Sequence, residues 1–315
     1  MDNLDIGVLR ELLLDENTLS LQTDVRRPYR DIAKKLHVDD DTVRNRIRGM
    51  ENVGLIRGWK LGLNPTLFGY QAEFVWVDVN PPANKEEVIR AARGVPRVIG
   101  IQVYFDDVIG VSLAYAKRAE LDKEIVRLRD IANSRSNLTA KTPFIPCRLR
   151  LTDTDWAIVK SIRREPRKSY LEVAKELGIS RRTVKRRAER MIRERALWML
   201  PELDLRRLEG GVLASLSVYY PPEAKREVDR QIYEKYGEYS IYAQSTLPER
   251  GWFLFIVPNL AVAKEIQLWA SALKGVRTGF VKAIEQFLNL LGEAFEQELR
   301  EAPLILAGGQ TVARS

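Results

Sequence analysis

The segment 180–195 carries a dense cluster of positive charge. Arg181, Arg182, Lys185, Arg186, Arg187, Arg190, Arg193 and Arg195 stand there against only Glu189 and Glu194. Cations this close repel one another, so such a face calls for an anionic partner. A nucleic-acid backbone offers phosphates whose neutralisation releases counterions, and arginine can also grip the O6 and N7 edge of guanine with two hydrogen bonds. Residues for other chemistry are scarce. The single histidine, His37, and the single cysteine, Cys147, give no zinc or iron–sulfur set, no internal disulfide and no imidazole acid–base pair. No Gly-rich phosphate loop, HExxH or GxSxG stretch occurs. These residues predict no catalytic residues, no metal and no cofactor.

The apolar residues between the charges show what must hold them. Val184, Ala188, Met191 and Ile192 recur at i, i+4, i+7 and i+8, one face of a helix that Ser180 can cap. Upstream, Ser169 and Glu172 form a capping box for a helix that turns Val173, Ala174 and Leu177 inward and stops at Gly178. Two helices joined by a tight turn, the second with one free face, make a helix-turn-helix, which seats its second helix in the major groove of DNA.

The same pattern occurs earlier. Tyr29, Ala33, Leu36, Thr42 and Val43 align with Tyr170, Ala174, Leu177, Thr183 and Val184 at an offset of 141, and Asp5 aligns with Asp155 at 150. The nine extra residues of the first copy fall within Asp15 to Arg27. Asp39 takes its cap position, Val43, Ile47 and Met50 repeat the stripe, and Gly54 can supply a left-handed stop. The stretch Leu55 to Leu61 reads as two short strands of a wing. Asp40 and Asp41 replace Arg181 and Arg182, which suits the helix dipole but repels phosphate. An asymmetric pair is expected. The main contacts are Ser180, Arg181, Arg182, Thr183, Lys185, Arg186, Arg187, Arg190 and Arg193. Thr42, Arg44, Asn45, Arg46, Arg48 and Lys60 are the secondary set.

Bulk composition agrees. The chain has 315 residues, 45% hydrophobic and 30% charged, with a formal net charge of +8. Residues 1–65 hold 11 basic and 11 acidic residues, whereas 148–207 hold 18 and 9, so the excess sits in the second copy. No apolar run approaches a membrane span, and no signal peptide is evident. A cytoplasmic, nucleoid-associated location is expected.

Downstream of each helix-turn-helix the periodicity changes to strands. Ala72–Val79, Val98–Phe105 and Val108–Tyr115 read as strands around a helix at Lys85–Ala92, with a second helix carrying Leu121, Ile125, Leu128 and Ala132. Val212–Tyr220, Tyr239–Thr246 and Trp252–Val257 repeat the strands, with helices at Glu223–Tyr236 and Ala261–Leu273. This order predicts helices packed on one face of an antiparallel sheet. After a last strand near Val276–Ala283, Ile284, Phe287, Leu288, Leu291, Phe295 and Leu299 fall on one helical stripe, which predicts a C-terminal helix and tail.

The chain resembles the leucine-responsive/asparagine-regulator (Lrp/AsnC) family of transcription regulators. The resemblance rests on Leu4 and Asp5, the helix from Asp31 to Leu36, Thr42 to Ile47, Asn52 to Ile56, and Asn64 to Tyr70 leading into the next domain. It implies an α+β fold in which two winged helix-turn-helix domains alternate with two βαββαβ ferredoxin-like (RAM/ACT-like) sandwich domains. The expected boundaries are 1–65, 66–147, 148–207, 208–284, and 285–315 for the helix and tail. It further implies a DNA-binding regulator of transcription, a homodimer or intramolecular pseudo-dimer, and an amino-acid-like effector. Two departures stand out. Members of this family usually carry one domain of each kind per chain, and the effector hairpin is poorly kept, since Tyr104 to Asp107 lacks the glycine and Thr246 to Gly251 lacks the aspartate. An architectural chromatin-type protein would share the charge pattern, and some proteins like this family decarboxylate a tetrapyrrole through a histidine-bearing site.

Overall fold

The computed structural model describes residues 1–15, 20–21, 27–136, 138–142, 144–244 and 247–301. The chain opens with α1 (Asn3–Leu13), short strands β1 (Leu14–Asp15) and β2 (Ser20–Leu21), α2 (Tyr29–Leu36) and α3 (Asp40–Asn52). After β3 (Ile56–Leu63) come β4 (Gln71–Asp78), α4 (Lys85–Arg93), β5 (Val98–Tyr104), β6 (Val108–Tyr115), α5 (Arg118–Ala132) and β7 (Thr139–Lys141). The order then recurs: α6 (Asp153–Ile162), α7 (Tyr170–Leu177), α8 (Arg181–Arg193) and β8 (Leu197–Leu203). The remainder is β9 (Val212–Tyr219), α9 (Lys225–Tyr236), β10 (Ser240–Gln244), β11 (Arg250–Val257), α10 (Leu260–Ser271), β12 (Thr278–Asn289) and α11 (Glu296–Glu301). Among the described residues no helix is long and apolar enough to cross a membrane.

Local chemistry sets the helix ends. Asp2 and Asp5 close a capping box on α1, and Thr152 and Asp155 do the same on α6. The turn before α3 is made by His37 at φ 56°, and the equivalent turn before α8 by Gly178 at φ 65°. Both are left-handed, the conformation glycine adopts without steric penalty. Gly54 supplies the expected left-handed stop after α3, at φ 77°.

Eight strands form one sheet in the order β10-β11-β9-β12-β5-β6-β4-β7. Helices α4 and α5 bury Val88, Leu121, Ile125 and Leu128 with Val75, Val77, Ile101 and Val111 of its first half. In the second half, Val228, Ile232 and Ile266 cluster with Leu216, Val218 and Phe255. The opposite face carries Phe74, Trp76, Tyr104, Leu213, Leu254 and Ile284, which join one core with Ile6, Leu9, Ile32, Val43 and Ile47 of the first helix-turn-helix.

Two expectations need correction. The stretch after Leu55 is not a local two-stranded wing: β3 is a single strand that pairs antiparallel with β8 of the other copy, from Ile56↔Leu203 to Leu63↔Leu197. Gly58, which a wing would use as its turn, lies at a register shift instead. The segment from Ile284 is also not a helix. Thr278 to Ile284 pair with β9 and Ile284 to Asn289 pair with β5, so β12 joins the two half-sheets, and helix returns only at Glu296–Glu301. The open edge of β5 satisfies backbone groups that a helix would have satisfied internally, and tertiary pairing overrides the helical spacing. Phe295 then stacks on Phe68 at 5.3 Å and on Tyr70 at 5.9 Å, anchoring the end of the chain against the first half. The tail beyond 301 lies outside the described residues.

Candidate nucleic-acid interface

Helix α8 is fixed from below by Val184, Ala188, Met191 and Ile192, all buried. Ser180 caps it by accepting from the Thr183 amide at 3.1 Å, and the two hydroxyls lie 2.9 Å apart. The outward face then divides into two sets. Arg181, Arg182 and Arg186 are exposed, and no carboxylate lies within 4 Å of them among the described residues. Lys185 reaches Glu189 at 3.7 Å and Arg193 reaches Glu194 at 3.8 Å, both exposed pairs that contribute little.

Arg187 and Arg190 form the other set. Arg187 Nη1 donates to Asp155 Oδ1 and to Thr152 Oγ1, each at 3.0 Å, and Arg190 Nη2 donates to Asp155 Oδ2 at 2.7 Å. Asp155 is fully buried. Burial alone would raise its pKa, but hydrogen bonds from Thr152 and the Arg187 guanidinium outweigh it and hold the carboxyl below its ordinary value. These two arginines bind the recognition helix to the cap of α6. Thr152, Arg186, Arg187 and Arg190 line a cleft of about 160 Å³.

The first copy repeats this brace. Arg46 Nη1 donates to Asp2 at 2.6 Å and to Asp5 at 3.2 Å. Arg46 and Arg187 are equivalent at the 141 offset, as Asp5 and Asp155 are at 150. Asp39 caps α3 through the Thr42 amide at 2.6 Å and the Thr42 hydroxyl at 2.9 Å, and the amide bond is the main reason its carboxyl is held below the ordinary value. Arg44 pairs with Asp41 and lies 6.0 Å from the Tyr29 ring. Asn45 and Arg48 are exposed. Lys60 sits in the β3–β8 ribbon, held by Glu293 at 2.9 Å and Glu202 at 3.2 Å.

Sequence reasoning missed the bracing pair Thr152 and Asp155, although the Asp5/Asp155 repeat was its visible trace. It also missed Arg167, which lies 3.6 Å from the Trp59 ring and 5.5 Å from that of Tyr29, tying the second copy to the ribbon and to α2.

Residues 1–51 match the AsnC-type helix-turn-helix domain, and residues 151–195 match a winged helix-turn-helix DNA-binding domain. The HTH-type transcriptional regulator LrpA of Pyrococcus horikoshii is 37% identical over 62 residues, 19% of this chain and 44% of that protein. An HTH-type transcriptional regulator of Pyrococcus furiosus is 46% identical over 71 residues, 22% of this chain and 42% of that protein. The chain thus matches less than half the length of these two relatives. Among solved structures, the siroheme decarboxylase NirDL in complex with an iron-uroporphyrin III analogue matches with a TM-score of 0.52 at 16% identity. The match covers 95% of this chain and 98% of that one, and it is a likeness of fold. The chain thus carries an AsnC-type helix-turn-helix domain at residues 1–51 and a second helix-turn-helix domain at residues 151–195, and part of it is similar to LrpA-type regulators.

Proposed function

We propose that this chain is a sequence-specific transcription regulator that binds double-stranded DNA mainly through α8. The observation that carries the reading is the uncompensated face of Arg181, Arg182 and Arg186 at the positive end of that helix. Arg187 and Arg190 act from behind: they hold the helix at its angle and line the cleft that suits a backbone phosphate. Helix α3 makes the weaker contact, through Asn45 and Arg48. Lys60 takes no part, because Glu202 and Glu293 already meet its charge. On this reading the four expected domains form an intramolecular pseudo-dimer, two regulator subunits carried by one polypeptide in the cytoplasm. We assign no reaction to it: His37, its single imidazole, stands exposed in a left-handed helix turn.

The test is fluorescence anisotropy on a selected duplex. Arg182→Ala and Arg186→Ala should each weaken binding about 5- to 100-fold, and Arg44→Ala and Arg48→Ala should do less. Larger losses from the second pair would reverse the assignment. Affinity should fall with a log–log salt slope of roughly −5 to −7 for ~6–8 phosphate contacts. Mapping bound sites across the genome should yield discrete peaks with a shared motif, and uniform coverage would favour an architectural role instead.

A further inference from the structure

Arg250 is a charge that the DNA-binding reading leaves unused. It opens β11 on the inner face of the sheet, opposite α9 and α10, and is 8% exposed. Its Nη2 donates to Ser217 Oγ at 2.9 Å, and its Nε is buried without an acceptor. No carboxylate of the described residues lies within 4 Å of it. Trp76 lies 5.0 Å away by ring centroid and Tyr219 5.6 Å. Trp76 belongs to β4, five strands along the sheet from β11, where a flat sheet would place it about 24 Å off. The sheet therefore curls until the first half meets the second around this guanidinium.

The side chains that Arg250 meets are neutral, and Lys282 at the border is paired with Asp106. Tyr104 donates to Gln102 at 2.6 Å, and the Trp252 indole donates to Ser215 at 2.7 Å. Burial lowers the Arg250 pKa, yet a guanidinium keeps its proton in proteins and cannot escape by neutralising. A buried charge with no counter-ion is strongly unfavourable. Folding does not demand it. In the strand register Arg250 faces Tyr219 as Val108 faces Asp78, and Ser217 and Ser215 occupy the places of Trp76 and Phe74. The first half has apolar Val108, Trp76 and Phe74 at three of these positions, and its one charged residue there, Asp78, stands opposite Val108.

We propose that this inner face of the second half is a binding site for a small planar carboxylate, whose carboxyl group pairs with Arg250 while its flat body lies against Trp76. The remaining guanidinium donors match the two carboxylate oxygens. Half-buried Tyr219, Trp252 and Lys282 border the site.

Benzoate is the probe, added to the full chain without DNA. At about ten times its dissociation constant it should raise the wild-type melting temperature by roughly 2–4 °C. Arg250→Met should fold, melt no lower than wild type because an unpaired buried charge is gone, and show no benzoate shift. Trp76→Leu should reduce the shift while leaving Arg250 in place. Inorganic phosphate is the control: a shift equal in wild type and Arg250→Met marks binding at α8. Benzoate shifts that are equal in those two proteins would overturn the proposal, as would a wild type that does not respond to benzoate.

Discussion

Asp40 and Asp41 begin α3 where Arg181 and Arg182 begin α8, yet the two helices are built alike. Each has a side-chain cap, a buried stripe, and an arginine tied to the capping aspartate of the first helix of its unit. What the copies share is the scaffold of recognition, and what separates them is the charge on the surface that faces outward. The halves diverge at the turns as well. His37 stands where the second copy has Gly178, and Gly54 stands where it has Arg195, each in the left-handed region. The two halves thus share their braces and backbone geometry while exposed and inner positions differ.

The sharpest way to test the shared brace is to remove it from each copy. Asp155 is fully buried and holds two arginines, whereas the Asp5 side chain is 15% exposed and shares one arginine with Asp2. Asp155→Ala should destabilise the protein by about 2–3 kcal/mol and Asp5→Ala by about 1 kcal/mol, measured by denaturant titration. The first figure is discounted because Arg187 and Arg190 are partly solvated. Since the folded Asp155 carboxyl titrates below its ordinary value, its contribution is complete above about pH 4 and fades as pH falls through the folded pKa. The gap between wild type and Asp155→Ala should therefore close in acid, and a gap that widened would contradict the brace.

A smaller effect should follow from making the copies alike. Replacing Asp40 and Asp41 together by arginine should strengthen DNA binding several-fold and steepen the salt slope by about two. Its cost is the loss of favourable carboxylates at the α3 N-terminus, about 0.3–1 kcal/mol each. An unchanged slope would mean that α3 stands clear of the duplex. The smallest change expected is from His37→Gly. Relief of the left-handed strain, partly offset by a more flexible unfolded chain, should stabilise by about 0.5–1 kcal/mol without altering DNA affinity. A loss of affinity would give His37 a direct role.

Much of this was legible from the residues. Ser180, Gly178 and the stripe from Val184 to Ile192 placed α8 almost to the residue, because caps and periodicity are local signals. Val108–Tyr115 was read with its observed bounds for the same reason. Pairing partners were not legible. Leu61 pairs with Met199 and Leu288 with Ile101, and nothing within either segment says that its partner lies in the other half. The spacing of Ile284, Phe287, Leu288 and Leu291 fits a helix, and only the free edge of β5 decides for a strand. In the same way Arg187 and Arg190 read as free cations until the fold brought Asp155 beneath them.

The junction strand β12 also bears on how the molecule is made. Translation delivers β5 early, and the strand that completes its edge comes after every other strand of the sheet. Until then the nascent first half presents unpaired backbone groups to any passing polypeptide. A ribosome stalled before Thr278 would leave the edges of both β5 and β9 uncovered, so quality control of truncated products matters more here than in a protein whose halves close separately.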